Sequence, residues 1–204
     1  GEGLGNQFLG HIREVGVIAQ VVRCFDNADI VHVNNKIDPA DDITTINMEL
    51  AFADLDTVQK RMEKAQRNAR VMGKEEQKKS AVIMSALEKI KPLLENGEGA
   101  RKADLTDDEK LAVYDCHLIT MKPQLYVCNV DEDGIKNGNK YIDIVKKIAA
   151  EEGSDVVVIC GKFEAELADM ENPEDRLAFL EELGLEESGL SVLARAAYHL
   201  MGLR

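Results

Sequence analysis

A heptad seam constrains this chain more than any other feature. Thr44, Met48, Ala51, Leu55, Val58, Met62, Ala65, Ala69 and Met72 recur at alternating spacings of four and three. An α-helix puts such positions on one face, and a seam held for four heptads predicts a long helix with a helical partner. Gly73 breaks it. Ile83, Leu87, Ile90 and Leu94 then resume the alternation, with Pro92 near the end and Asn96-Gly97 closing the segment. Two seams joined at Met72-Gly73-Lys74 predict an antiparallel helical hairpin of coiled-coil type. A third helix is expected from Thr106 to about His117, because Thr106-Asp-Asp-Glu109 is a capping box.

The segments flanking this arm have a different period. Val15–Phe25 is a β-branched, apolar run too continuous for a one-sided sheet, and it fits a parallel strand covered on both faces. After Lys122-Pro123 the pattern reads strand Gln124–Cys128, loop 129–139, helix Lys140–Glu152 and strand Asp155–Cys160. A further loop and helices around Pro173–Leu183 and Ser188–Met201 follow. Strands alternating with helices predict a parallel, three-layer α/β sheet. The expected organisation is an α/β domain built from 1–39 and 119–204, interrupted by a helical arm at 40–118.

With 204 residues, 45% of them apolar, the chain holds enough material for a core and an appendage. Cys24, Cys116, Cys128 and Cys160 are far apart, and three of them sit in or at the end of apolar strand-like runs. That is the pattern of buried, reduced thiols in a cytoplasmic protein, not of a zinc site or a disulfide frame. No apolar run approaches the ~18 residues of a spanning helix, so no membrane is expected. The chain opens without Met, inside the glycine-rich phrase Gly1-Glu-Gly-Leu-Gly-Asn6, and reads as cut from something longer.

The net charge of −13 argues against general affinity for DNA or RNA. It is unevenly spread. Lys60, Arg61, Lys64, Arg67, Arg70, Lys74, Lys78 and Lys79 face only Glu63, Glu75 and Glu76 within their stretch, near the expected hairpin tip. Such a cluster on an acidic chain points to a polyanion contact, with a solvated helix face as the plainer alternative.

The strand Leu125–Cys128 runs directly into Asn129-Val130-Asp131-Glu132-Asp133-Gly134. A buried strand ending in Asn, with a carboxylate three residues on, can aim an acceptor at a base edge. An Asn-Asp loop closing a strand is also ordinary turn chemistry. A carboxylate accepts from guanine's two adjacent donors, whereas adenine offers an acceptor beside its amino group, so Glu132 cannot grip adenine at two points in the same way. His11, His117 and His199 have no partner at ligand spacing, and no Ser-His-Asp order is evident.

Several phrases, in this order, carry a family resemblance. They are Gly1-Glu-Gly-Leu-Gly-Asn-Gln-Phe-Leu9, Val21-Val-Arg-Cys-Phe25, Asp29-Ile-Val-His-Val33, Asp41-Asp-Ile43 through Ala53-Asp-Leu55, Asn129-Val-Asp-Glu132, Glu164-Ala-Glu-Leu167 and Ala196-Ala-Tyr-His-Leu200. In these the chain resembles the Obg-like ATPases, the YchF subfamily of translation-factor-related P-loop NTPases. The resemblance implies a Ras-like P-loop NTPase core with a partial parallel sheet and an inserted coiled-coil hairpin. It implies an ATP-binding, ATP-hydrolysing, ribosome-associated parent, with GTP the less favoured nucleotide and Mg²⁺ held by residues outside this chain. No Gly-Lys-Ser/Thr occurs here, so the phosphate loop is not encoded.

Residue by residue, Asn129, Val130 and Glu132 match the adenine-reading Asn-x-x-Glu loop of such proteins. Cys160 and Gly161 match the segment whose amides touch the base edge, with Gly161 departing from the family's more usual Ala. His32 matches the loop histidine that stands in for a water-orienting Gln; its alternative is an imidazole without chemistry. The eight basic arm residues are the expected ribosome contact. The competing reading is a non-catalytic ribosome- or RNA-binding module acting through that tip.

Overall fold

The computed structural model describes residues 5–26, 37–71 and 73–203. They form two compact units, one from the described parts of Gly1–Gly16 and Thr44–Pro123, the other from those of Val17–Ile43 and Gln124–Arg204. Each is described separately.

The second unit holds the sheet. Strands β1 (Ile18–Arg23), β2 (Gln124–Asn129) and β3 (Asp155–Ile159) lie in the order β1-β2-β3, all parallel. The register sets Val21 beside Val127 and Val127 beside Val157. The whole helical arm lies in the connection from β1 to β2.

On one face Val22, Tyr126 and Cys128 share a core with Val145, Phe163, Leu167 and Leu180. On the other, Leu125, Val127 and Val157 are covered by the apolar stripe Val192, Leu193, Ala196, Ala197 and Leu200. Central β2 is therefore buried on both faces, as its unbroken apolar run requires. Edge strand β1 is not. Val21 remains 65% exposed and Ala19 is exposed beside it, because the stripe lies over Leu125, Val127 and Val157 without covering these two. The expectation that both faces of this first strand are covered is corrected accordingly.

The first unit contains α1 (Asn6–Glu14), α3 (Lys74–Glu95), α4 (Asp107–Val113) and most of α2 (Pro39–Val71). Ala51, Val58, Ala86, Leu87, Ile90 and Leu94 are fully buried in its core, so the α2 seam is real from Ala51 to Ala65, while Met72 lies outside the described residues. Its first turns are not buried as expected: Thr44 and Met48 are exposed, and Leu50 and Asp54, which lie off the seam, point inward beside Ala51. The cause is Asp54. Its carboxylate accepts the backbone N–H groups of Ile119 and Thr120 at 2.9 and 2.7 Å and the Thr120 hydroxyl at 2.7 Å. Arg13 of α1 approaches the same carboxylate at 3.4 Å and donates to the Ala53 carbonyl at 3.3 Å. Burial raises the Asp54 pKa despite those donors.

The capping box forms as expected. Thr106 accepts the Glu109 N–H, and Glu109 accepts the Thr106 N–H at 2.9 Å. The same Glu109 carboxylate takes Lys89 at 2.8 Å and Ser85 at 2.6 Å, which hold its pKa down at about 2.

Four further helices complete the sheet unit: α6 (Lys140–Glu152), α7 (Gly161–Ala168), α8 (Pro173–Glu182) and α9 (Gly189–Leu200), preceded by a short α5 (Glu132–Asn137). Two of these fall where loops were expected. Helix α5 forms because Asp131 caps it, accepting the Gly134 N–H at 2.8 Å, and Gly138 ends it at φ 71°. Helix α7 has no cap from its own Cys160; the cap comes from Asn129.

Candidate functional site

The C-terminal ends of parallel strands are where α/β sheets hold ligands, since the following loops open there. Here β2 ends at Asn129, and its side chain settles the local geometry. Asn129 Oδ1 accepts the Gly161 N–H at 3.0 Å, tying the loop after β2 to the start of α7 after β3. Val130 N–H donates to the Ile159 carbonyl at 2.8 Å, and Cys24 N–H to the Asn129 carbonyl at 2.8 Å. All three strand ends are thereby cross-braced. Val130 is buried, its side chain under Gly134, where an added Cβ would come within 2.8 Å of Val130 Cβ. The close approach demands glycine at 134.

Above this brace lies a cleft of about 530 Å³, lined by Phe25, Asp26, Asn129 through Asp133, Cys160 and Lys162. Its volume falls within the roughly 300–1,000 Å³ of small-molecule sites. Glu132 Oε1 accepts from Lys162 Nζ at 3.4 Å on the rim. A neighbouring groove of about 360 Å³ shares Phe25, Asp26, Asp131 and Asp133 and extends to Tyr141. Tyr141 donates its hydroxyl to Asp26 at 2.8 Å, which raises the phenol's pKa.

Four carboxylates and one ammonium line the cleft. That balance suits a neutral aromatic ring with amino groups and disfavours a phosphate chain. No cluster of His, Cys, Asp and Glu able to hold a metal exists among the described residues.

Of the residues singled out from sequence, Asn129, Val130, Glu132 and Cys160 line one cleft, and Gly161 supplies the amide that Asn129 receives. His32 lies outside the described residues. Phe25, Asp26 and Lys162 were not anticipated. Phe25 and Asp26 reach the cleft only because β1 pairs beside β2, and Lys162 follows Gly161 directly. Cys24 and Cys128 are buried against one another beneath the loop, and their contact together with burial raises the Cys24 pKa.

The basic arm residues divide. Lys60 pairs with Asp56 at 2.6 Å, Lys79 with Glu75 at 3.6 Å, and half-buried Arg61 with Asp115 at 3.1 Å. Lys64, Arg67, Arg70, Lys74 and Lys78 are exposed and make no ion pair among the described residues.

No family model matches the chain. Curated relatives do, over its full length. The chain is 48% identical to the ribosome-binding ATPase YchF of Haemophilus ducreyi, across all 204 residues and 54% of that protein. It is 48% identical to the protein of the same name from Escherichia coli O157:H7, again over 54% of it, and 43% identical to that of Bacillus subtilis, over 55%. The solved structure of the Schizosaccharomyces pombe YchF GTPase superposes with a TM-score of 0.85 at 31% identity, covering 98% of this chain and 54% of that one. By sequence and by fold the chain is YchF-like. Its mixed α/β architecture is that of a P-loop NTPase, with a small parallel sheet and many helices. It spans about half the length of the YchF relatives it matches.

Proposed function

We propose that this chain is the base-reading part of an ATP-binding, ATP-hydrolysing protein that works on the ribosome. The observation that carries the reading is the Asn129–Gly161 brace, which sets Asn129, Val130, Glu132 and Cys160 around one cleft at the strand ends. In this reading the sheet unit is the nucleotide-binding part, and 40–118 is an arm inserted into it. Asn129 fixes the loop and faces the purine ring, Val130 contributes backbone and apolar contact, and Glu132 accepts from the adenine amino group. Cys160 and Gly161 wall the base edge.

Phosphate binding and Mg²⁺ are assigned to no residue of this chain, which contains no Gly-Lys-Ser/Thr. Mg²⁺ supplies charge neutralisation of the β- and γ-phosphates when bound. His32 is proposed to position the attacking water. The relatives' name supports the ATPase and ribosome parts of the reading, and a cytoplasmic location goes with them.

The test is calorimetric titration of ATP and GTP, with Mg²⁺, into the longest natural polypeptide carrying these residues, and into its Asn129→Ala variant. Tighter ATP than GTP binding, weakened for both by Asn129→Ala, is expected. Equal binding by the variant overturns the reading.

A second reading is favoured by the five exposed basic residues that make no ion pair among the described residues: a non-catalytic ribosome- or RNA-binding module acting through the arm. Co-sedimentation with ribosomal subunits beside an ATPase assay separates the two. Ribosome binding without turnover selects the second.

A further inference from the structure

Resting on the base-loop reading above, we propose that Lys162 is a specificity-determining residue, which favours adenine by occupying one of the two Glu132 carboxylate oxygens. Lys162 Nζ donates to Glu132 Oε1 at 3.4 Å, and both residues line the cleft. Guanine presents two adjacent donors, N1–H and N2–H, and a carboxylate grips them only with both oxygens at once. The ammonium seated on Oε1 takes one of that oxygen's two acceptor sites and draws on its charge, which weakens the two-point grip on guanine. Adenine needs one oxygen for its amino group, and Oε2 remains for it. The adjoining ring nitrogen of adenine is an acceptor, which suits a remaining ammonium N–H. One ion pair thus presents an acceptor beside a donor, complementary to adenine's amino group and ring nitrogen.

The position of Lys162 strengthens the inference. It stands in the first turn of α7, at the positive end of the helix, where a cation is disfavoured. Two carboxylates offset this: Glu132, and Glu166 one turn along α7 at 3.9 Å. Glu166 belongs to the same helix and holds the ammonium near the rim. Glu132 is the partner that ties it to the loop. The backbone beneath is braced by Asn129 and Gly161, so the pair is held between two anchored segments.

The experiment measures ATP and GTP affinities, by competition against a fluorescent nucleotide with Mg²⁺, in the longest natural polypeptide carrying these residues. Lys162→Met is expected to lower the ATP preference about twofold to fivefold, mainly by tightening GTP, as removal of an exposed ion pair allows. Lys162→Arg should keep the wild-type preference. In a Glu132→Gln background Lys162→Met should shift the ratio less than in the wild type, since the part of the effect that acts through that carboxylate is gone. An unchanged ratio in Lys162→Met, or an equal shift with and without Glu132, overturns the assignment. Asn129→Ala separates this failure from that of the base loop itself. If it weakens both nucleotides while Lys162→Met changes nothing, the loop stands and the role of Lys162 falls. If neither variant has any effect, the nucleotide is not in this cleft and both fall.

Discussion

Asn129 Oδ1 receives the Gly161 N–H, so one side-chain oxygen serves as the N-terminal cap of α7 and the clamp of the loop after β2. Asn129→Ala is therefore expected to destabilise the sheet unit by about 1 kcal/mol, the ordinary loss for a removed cap, besides weakening nucleotide binding. Urea denaturation with a far-ultraviolet readout checks the first effect independently of the second. Glu132→Asp is expected to move the ATP:GTP affinity ratio toward GTP by up to about tenfold. The shorter carboxylate withdraws from Lys162 and frees both oxygens for the guanine edge. An unchanged ratio would mean that the loop does not select through its carboxylate. Asp54 is a different kind of residue: fully buried, with three donors among Ile119 and Thr120. Asp54→Ala strands those donors, and a loss of about 3 kcal/mol or more in unfolding free energy is expected.

At the scale of elements, α4 is pinned to α3 through Glu109. Its carboxylate, held at about 2 against an ordinary 4.5, stabilises the folded state above about pH 4.5, and this contribution is lost as pH falls toward 2. Asp54 has the opposite sign. Its pKa is raised above 3.8, so its contribution is greatest when protonated and falls as pH climbs through 3.8 and beyond. Glu109→Gln should therefore flatten the loss of stability between pH 4.5 and pH 2, measured by urea midpoints across that range. The arm carries its own test. Reversing Arg67, Arg70, Lys74 and Lys78 to Glu changes exposed positions and should leave the helical signal of the chain intact. Ribosome co-sedimentation should weaken, and its salt dependence should flatten, as each lost phosphate contact removes about one released counterion. Wild-type sedimentation by the quadruple variant across a salt series would reduce the cluster to a solvated face.

For the whole molecule, the proposed function turns on which part of a nucleotide site the chain would supply. In the proposed reading the base contacts are grouped in one cleft, and no Gly-Lys-Ser/Thr occurs in the sequence. Phosphate contacts supply much of the affinity for a triphosphate. These 204 residues alone should therefore bind ATP with a Kd above about 1 µM. Submicromolar binding in calorimetry would place the phosphates on residues of this chain and contradict the site described.

Much of this was legible in local period. The seam from Ala51 to Ala65, strand Gln124 onward, helix Lys140–Glu152 and the Thr106–Glu109 capping box all follow from spacings within a few residues, because each is a local steric or hydrogen-bonding rule. The Asn-x-x-Glu phrase likewise put Asn129, Val130 and Glu132 on one turn. Tertiary structure decided whatever depends on a partner distant in sequence. Helix α7 is capped by Asn129, 32 residues earlier. Phe25 and Asp26 reach the cleft by the register of β1 on β2. Glu164 enters the sequence reading only within the phrase Glu164-Ala-Glu-Leu167, yet it is buried and accepts the Gly189 N–H at 2.6 Å, capping α9. Val21 reads as core and lies exposed at the sheet edge. Hydrophobic period reports which side of an element is apolar. Whether that side meets another element, and which donor a buried carboxylate finds, is settled only when the chain returns on itself.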